Sequence, residues 1–395
     1  MRSERHVRPG HVAPDESGAR ESGRSRSRVH LRDIDAMRVI VFSFVIAAHV
    51  VTTIGDFERR SVAGWGMLMH FTRYAFVFIS AFVLMFSYRD RPMSPVRFWR
   101  RRFGAVVLPY LVWSAIYYSV ALTVDSEPGW WRGFGRFGLQ LASGGVWYHL
   151  YFLLISIQLY AIFPLLHRLM RGASLRRSAW VLVGSAVVQL GSMALVSMVK
   201  APTSIAGYFW HHPDIQLPIY TFFIAAGIVA AIHREALNRW LLGSPVLISV
   251  LFGVGMVIST GIFWYRSLSG SAMLASLPAY PGIFPWIVGA TLAVYALCVA
   301  WDRRALPDGW SARLAAAGAH RAFGVFALHP LVLWALTRWL LPSLNTIGIG
   351  IGTELLIIGV GTVVGTVAIV EVLLRTPASK VLTARPRLRW RRQTR

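Results

Sequence analysis

Arg38 and His49 lie on one apolar stretch, MRVIVFSFVIAAHVVTTIG, with ten residues between them. On a helix the eleven steps make three turns plus about 20°, so both side chains share a face about 16 Å apart along the axis. One span thus carries a guanidinium at one depth and an imidazole at another. Either is costly in lipid unless it faces the protein interior or a wet cavity, so both are candidates for chemistry. Histidine is the side chain whose ordinary pKa lies near neutrality, which suits it to taking a proton from a hydroxyl or to acting as nucleophile. Arg38 either binds a phosphate or orients a carboxylate such as Asp35, which is fourteen residues from His49 and near the same face. His149, His329, Arg73, His70 and Glu354 are further ionisable groups within or beside apolar runs. Arg97, Arg100, Arg101 and Arg102 crowd around Phe98 and Trp99 in RDRPMSPVRFWRRRF, where guanidinium forks suit phosphates and a flat ring suits a base.

The elements that must hold these residues are membrane spans. The chain is 55% hydrophobic and only 15% charged, and its apolar runs recur at about 20 residues. Ten spans are expected, at 37–55, 67–87, 103–123, 146–166, 179–199, 216–232, 243–264, 282–301, 321–341 and 347–373, giving an all-α polytopic protein. The net charge of +24 does not point to nucleic acid, because the basic residues sit in short connections between apolar runs and not on one soluble face. Alternate connections carry 32 and 6 of the Lys and Arg residues, a bias that places both termini in the cytoplasm of a multi-pass protein of the cell membrane. Residues 1–36 read as a disordered basic cytoplasmic tail without a removable leader, 37–373 as the membrane domain, and 374–395 as a second basic tail attracted to anionic membrane lipid. Cys298 is the only cysteine, so disulfides within the chain are excluded. His211 and His212 read as a solvated loop pair, and no metal site is expected.

Five stretches, RDIDAMRVIVFSFVIAAHV, FVFISAFVLMFSY, FWRRRFGAVVLPYLVWSAIYY, VWYHLYFLLISIQLYAIFPLL and FGVFALHPLVL, together resemble in the same order the signature segments of acyltransferase family three, bacterial membrane enzymes that modify cell-surface sugars. The resemblance implies an O-acyltransferase. It would move an acyl group, commonly acetyl, from cytoplasmic acyl-CoA to a hydroxyl of an extracytoplasmic polysaccharide, lipid-linked sugar or glycoside. It makes His49 and Arg38 the candidate catalytic pair, with His49 as base or covalent acyl carrier. It assigns donor contact, acetyl-CoA the expected form, to Arg97, Arg100, Arg101 and Arg102, although Ala105 stands where the family often has a second basic residue. His149, Tyr151, Arg73, Ser80 and His329 are then the expected acceptor-side residues. Ser80 falls in a serine-glycine motif whose glycine is Ala81 here, which argues against a very close backbone approach at that point. The glycines at 348, 350, 352, 359, 361 and 365 are expected to let the last helix pack closely. The competing class is an exporter of a sugar or lipid-linked intermediate using the same buried charges, but no inverted repeat is visible.

Overall fold

In a computed structural model, residues 31–124, 130–203, 207 and 210–388 are described, and among them there is helix and no strand. The body from Arg32 onward is built from α1 (Arg32–Ile54), α2 (Arg60–Met69), α3 (Phe71–Tyr88), α4 (Pro95–Val124), α5 (Trp130–Ser143), α6 (Tyr151–Met170), α7 (Leu175–Met198), α8 (Thr221–Ile232), α9 (Arg234–Gly243), α10 (Pro245–Leu268), α11 (Phe284–Arg304), α12 (Trp310–Ala335), α13 (Leu341–Ile347) and α14 (Ile351–Leu373). Nine of the described helices are long and apolar enough to cross a membrane; a tenth is reached if a pair bent by 98°, Leu217–Ile232 with Arg234–Gly243, counts as one span. This is a polytopic all-α membrane protein. The expected span at 216–232 is the upper arm of that bent pair, and its second arm turns sharply at His233.

α1 begins at Arg32, five residues before the expected start, with Asp33 and Asp35 in its first turn where the helix dipole favours acids. Asp33 is fully buried, and its carboxylate pairs with Arg234 of α9 at 2.9 Å, while Arg32 pairs with Asp302 at 2.7 Å. The stretch after α14 is not a free tail as far as residue 388. Trp113 donates to the Leu382 carbonyl at 3.1 Å, Ser379 and Thr383 are buried, and Arg385 donates to the His320 carbonyl at 3.1 Å. Residues 1–30 and 389–395 of the expected tails lie outside the described residues. α5 was not expected from hydropathy, since it is amphipathic and not uniformly apolar.

Two helix contacts position the site. α1 packs on α12, where a Cβ at Gly318 would come within 2.6 Å of the Val39 side chain. α3 packs on α8 more closely than Ala81 suggested. A Cβ at Gly227 would sit 2.4 Å from the Phe78 carbonyl oxygen and 3.0 Å from the Ala81 Cβ, so the close approach exists and its glycine belongs to the partner helix. Of the last helix's glycines, Gly361 and Gly365 do face neighbours, Leu336 and Val332, whereas Gly348, Gly350 and Gly352 meet nothing within 4 Å.

Candidate active site

The cavity that takes in His49 has a volume of about 420 Å³. α1 supplies His49, Thr52 and Thr53; the α2–α3 junction supplies His70, Thr72, Arg73 and Phe76; the turn before α6 supplies Tyr148 and His149; α6 adds Tyr151 and Phe152, and α12 adds Phe326. The local reasons are legible. Thr52 and Thr53 donate back to the His49 carbonyl at 3.0 and 2.7 Å, which satisfies hydroxyls that lipid would leave orphaned. His70 is the break between α2 and α3, so the chain turns at the cavity edge and presents both His70 and Arg73.

Three imidazoles meet here. The His49 ring stacks on His329 with centroids 5.3 Å apart and planes 26° from parallel, and it lies 4.6 Å from Tyr148. His149 approaches His329 edge-on at 5.8 Å and is enclosed by Tyr117 at 5.0 Å and Phe326 at 5.1 Å. His329 is fully buried; its Nδ1–H donates to the Val325 carbonyl at 2.9 Å, so Nε2 carries the lone pair and has no protein partner among the described residues. Pro330 follows it, and lacking an N–H it frees the Phe326 carbonyl one turn back. Tyr117 anchors the same helix by donating to the Ala327 carbonyl at 2.7 Å. His49 itself makes no ring hydrogen bond among the described residues, and Arg73 and His70 are close enough to act on it through charge. Arg73 places its guanidinium 5.4 Å from the centre of the Tyr151 ring.

Of the expected residues, His49, His149, Tyr151 and Arg73 line the cavity together. His329 stands behind His49 and supports it without lining the space. Ser80 does not line it: it sits two turns further along α3 on the face that begins at Arg73. Arg38 is also outside the cavity, three turns down α1, where Nη1 bonds Asp35 Oδ1 at 3.0 Å and Arg385 stands near enough to act on it through charge. Arg97, Arg100 and Arg101 are exposed at the Arg38 end of the bundle. Arg102 differs from them, because it is half-buried with its guanidinium 5.9 Å over the Tyr160 ring. Of this cluster's aromatic neighbours, Phe98 is buried against Phe163 at 5.3 Å and serves to pack α4 on α6, while Trp99 is half-buried and donates its indole N–H to the Tyr160 carbonyl at 3.0 Å. Glu354 is buried at the start of α14 and does not line the cavity. Among the described residues no cluster of three His, Cys, Asp or Glu side chains could hold a metal.

Reasoning from sequence missed Phe326, Tyr117 and Tyr148. Phe326 had a signal, since it precedes His329 by three residues and therefore shares its face. Tyr117 had none, because its contact joins helices 210 residues apart.

A bundle of apolar helices that closes around clustered imidazoles and one guanidinium defines a polytopic membrane protein with a chemically equipped internal cavity. The model of acyltransferase family 3, described as an acyltransferase domain, matches residues 31–371, and the chain belongs to that family. It is a membrane acyltransferase, which decides between the two classes left open by sequence. No curated protein and no solved structure matches the chain.

Proposed function

We propose that the protein transfers an acyl group, commonly acetyl, from acyl-CoA on the cytoplasmic side to a hydroxyl of a glycan, lipid-linked sugar or glycoside on the far side of the cell membrane. The observation that carries this reading is the His49 ring, free of hydrogen bonds among the described residues at a cavity wall and backed by His329 and Tyr148. As the acceptor oxygen attacks the thioester carbonyl, His49 takes the hydroxyl proton; the C–S bond then breaks, and the proton passes to the leaving thiolate, giving the ester and CoA. His329 and Tyr148 limit the rotation of the His49 ring, so its lone pair stays aimed into the cavity.

The donor approaches from the opposite end of the bundle. Arg38 is about 16 Å from His49 along α1, a separation that an extended pantetheine arm can bridge while its phosphates remain with guanidinium groups. Exposed Arg97, Arg100 and Arg101 supply such groups, as does Arg385 beside Arg38. Membranes containing the full-length protein, given radiolabelled acetyl-CoA and an extract of envelope saccharides, are expected to move label into ester that alkali releases. Absence of transfer with acetyl-, propionyl- and longer acyl-CoA alike would overturn the reading.

A further inference from the structure

The lining of the cavity is unbalanced in charge. Among the described residues it includes one permanent cation, Arg73, beside the imidazoles of His49, His70 and His149, and no Asp or Glu. Arg73 makes no hydrogen bond or ion pair among the described residues; the ring of Tyr151 is its contact. The acid that acts on it is Asp214, through space and together with the phenols of Tyr74, Tyr151 and Tyr220. Two of those phenols have their protons committed elsewhere, Tyr74 to the Pro278 carbonyl at 2.8 Å and Tyr220 to the Asp214 carbonyl at 2.9 Å. Their oxygens and rings ease the burial of a cation but do not neutralise it, and the Asp214 carboxylate acts from a distance without forming an ion pair with it among the described residues.

A guanidinium in a largely desolvated pocket is costly unless an anion meets it, and a neutral sugar does not require one. Hydroxyls are held as well by the threonines, tyrosines and imidazoles already present. A planar, permanently charged fork is matched instead to a carboxylate or a phosphate. We infer that the acceptor carries an anionic group, a carboxylate or a phosphate, which Arg73 holds while a neighbouring hydroxyl reaches His49. The inference rests on the acyl-transfer reading and narrows its acceptor to acidic species.

The test uses membranes bearing the full-length protein, radiolabelled acetyl-CoA and a total envelope extract, with labelled products resolved by anion exchange. Label is expected in the retained fraction. Cold aqueous hydrofluoric acid, which cleaves phosphate esters and spares uronates, then tells the two sources apart: release of neutral labelled sugar identifies the phosphate, and continued retention the carboxylate. With the retained acceptor, Arg73→Gln is expected to raise the acceptor KM tenfold or more and leave the acyl-CoA KM unchanged, with Arg73→Lys partly restoring it. Label in the unretained fraction of wild type overturns the inference. So does an Arg73→Gln enzyme with lower kcat and unchanged acceptor KM, which would put the guanidinium on the tetrahedral oxyanion instead. Wild type that transfers no label from any acyl-CoA overturns the acyl-transfer reading and this inference with it, a pattern distinct from transfer to neutral products.

Discussion

Replacing His49 by alanine should separate chemistry from stability more cleanly than any other change in the cavity. Among the described residues the imidazole makes no ring hydrogen bond, and it lies at a wall already open to the cavity, so its loss orphans no buried group there. The stability cost should stay within about 1 kcal/mol, as for other substitutions that create neither a sealed void nor an unpaired polar atom. The chemical cost is larger: a positioned base contributes roughly 10²- to 10⁴-fold, or about 3–5 kcal/mol of barrier at 1.36 kcal/mol per decade. His329→Ala is the internal control. That ring is fully buried and donates to the Val325 carbonyl, so its removal opens a void and breaks a bond, together costing about 2–4 kcal/mol of stability. Transfer of labelled acetyl by membranes holding equal amounts of each protein, with the thermal stability of the purified proteins, gives both numbers. His49→Ala should be at least a hundredfold less active with a near wild-type melting temperature, whereas His329→Ala should melt several degrees lower. His49→Ala that retains a tenth or more of wild-type transfer would refute the assignment of the base.

Three other outcomes are expected. Changing Arg97, Arg100 and Arg101 together to Gln should weaken acyl-CoA binding by about tenfold at low salt and less at high salt, because these groups are exposed and screened; unchanged affinity across salt would reduce them to an orientation signal. Cysteine at Ser269 should react with an impermeant maleimide in intact cells and cysteine at Arg176 should not, with native Cys298 silent because it is buried; labelling at Arg176 would break the assigned orientation. Gly227→Ala should destabilise by about 1–3 kcal/mol, since the new Cβ meets the Phe78 carbonyl as well as Ala81, and adding Ala81→Gly should recover only part of the loss. Wild-type thermal stability in Gly227→Ala would contradict that packing.

Hydropathy by itself determines the class of this protein. A run of about 20 apolar residues has one stable form in lipid, a helix with every backbone group paired internally, so the all-α membrane class follows from composition. The eleven-residue offset of Arg38 and His49 fixes their common face for the same reason, because helical geometry is local. What only the tertiary structure decided depends on which faces meet. The stacking of His49 on His329, 280 residues away, the enclosure of His149 by Tyr117 and Phe326, and the ion pair of Asp33 with Arg234 all join spans distant in sequence. Apolar faces look alike to periodicity, and in lipid no hydrophobic gradient marks which one turns inward. The fate of Phe98, legible as part of a stacking platform and in fact buried against Phe163 of α6, shows the same gap: an aromatic side chain serves packing or binding equally well until its neighbours are placed. Ala81 marks the limit most sharply, since the close helix approach it appeared to forbid is made by Gly227 on the facing helix, and the distance between two helices depends on both surfaces at once.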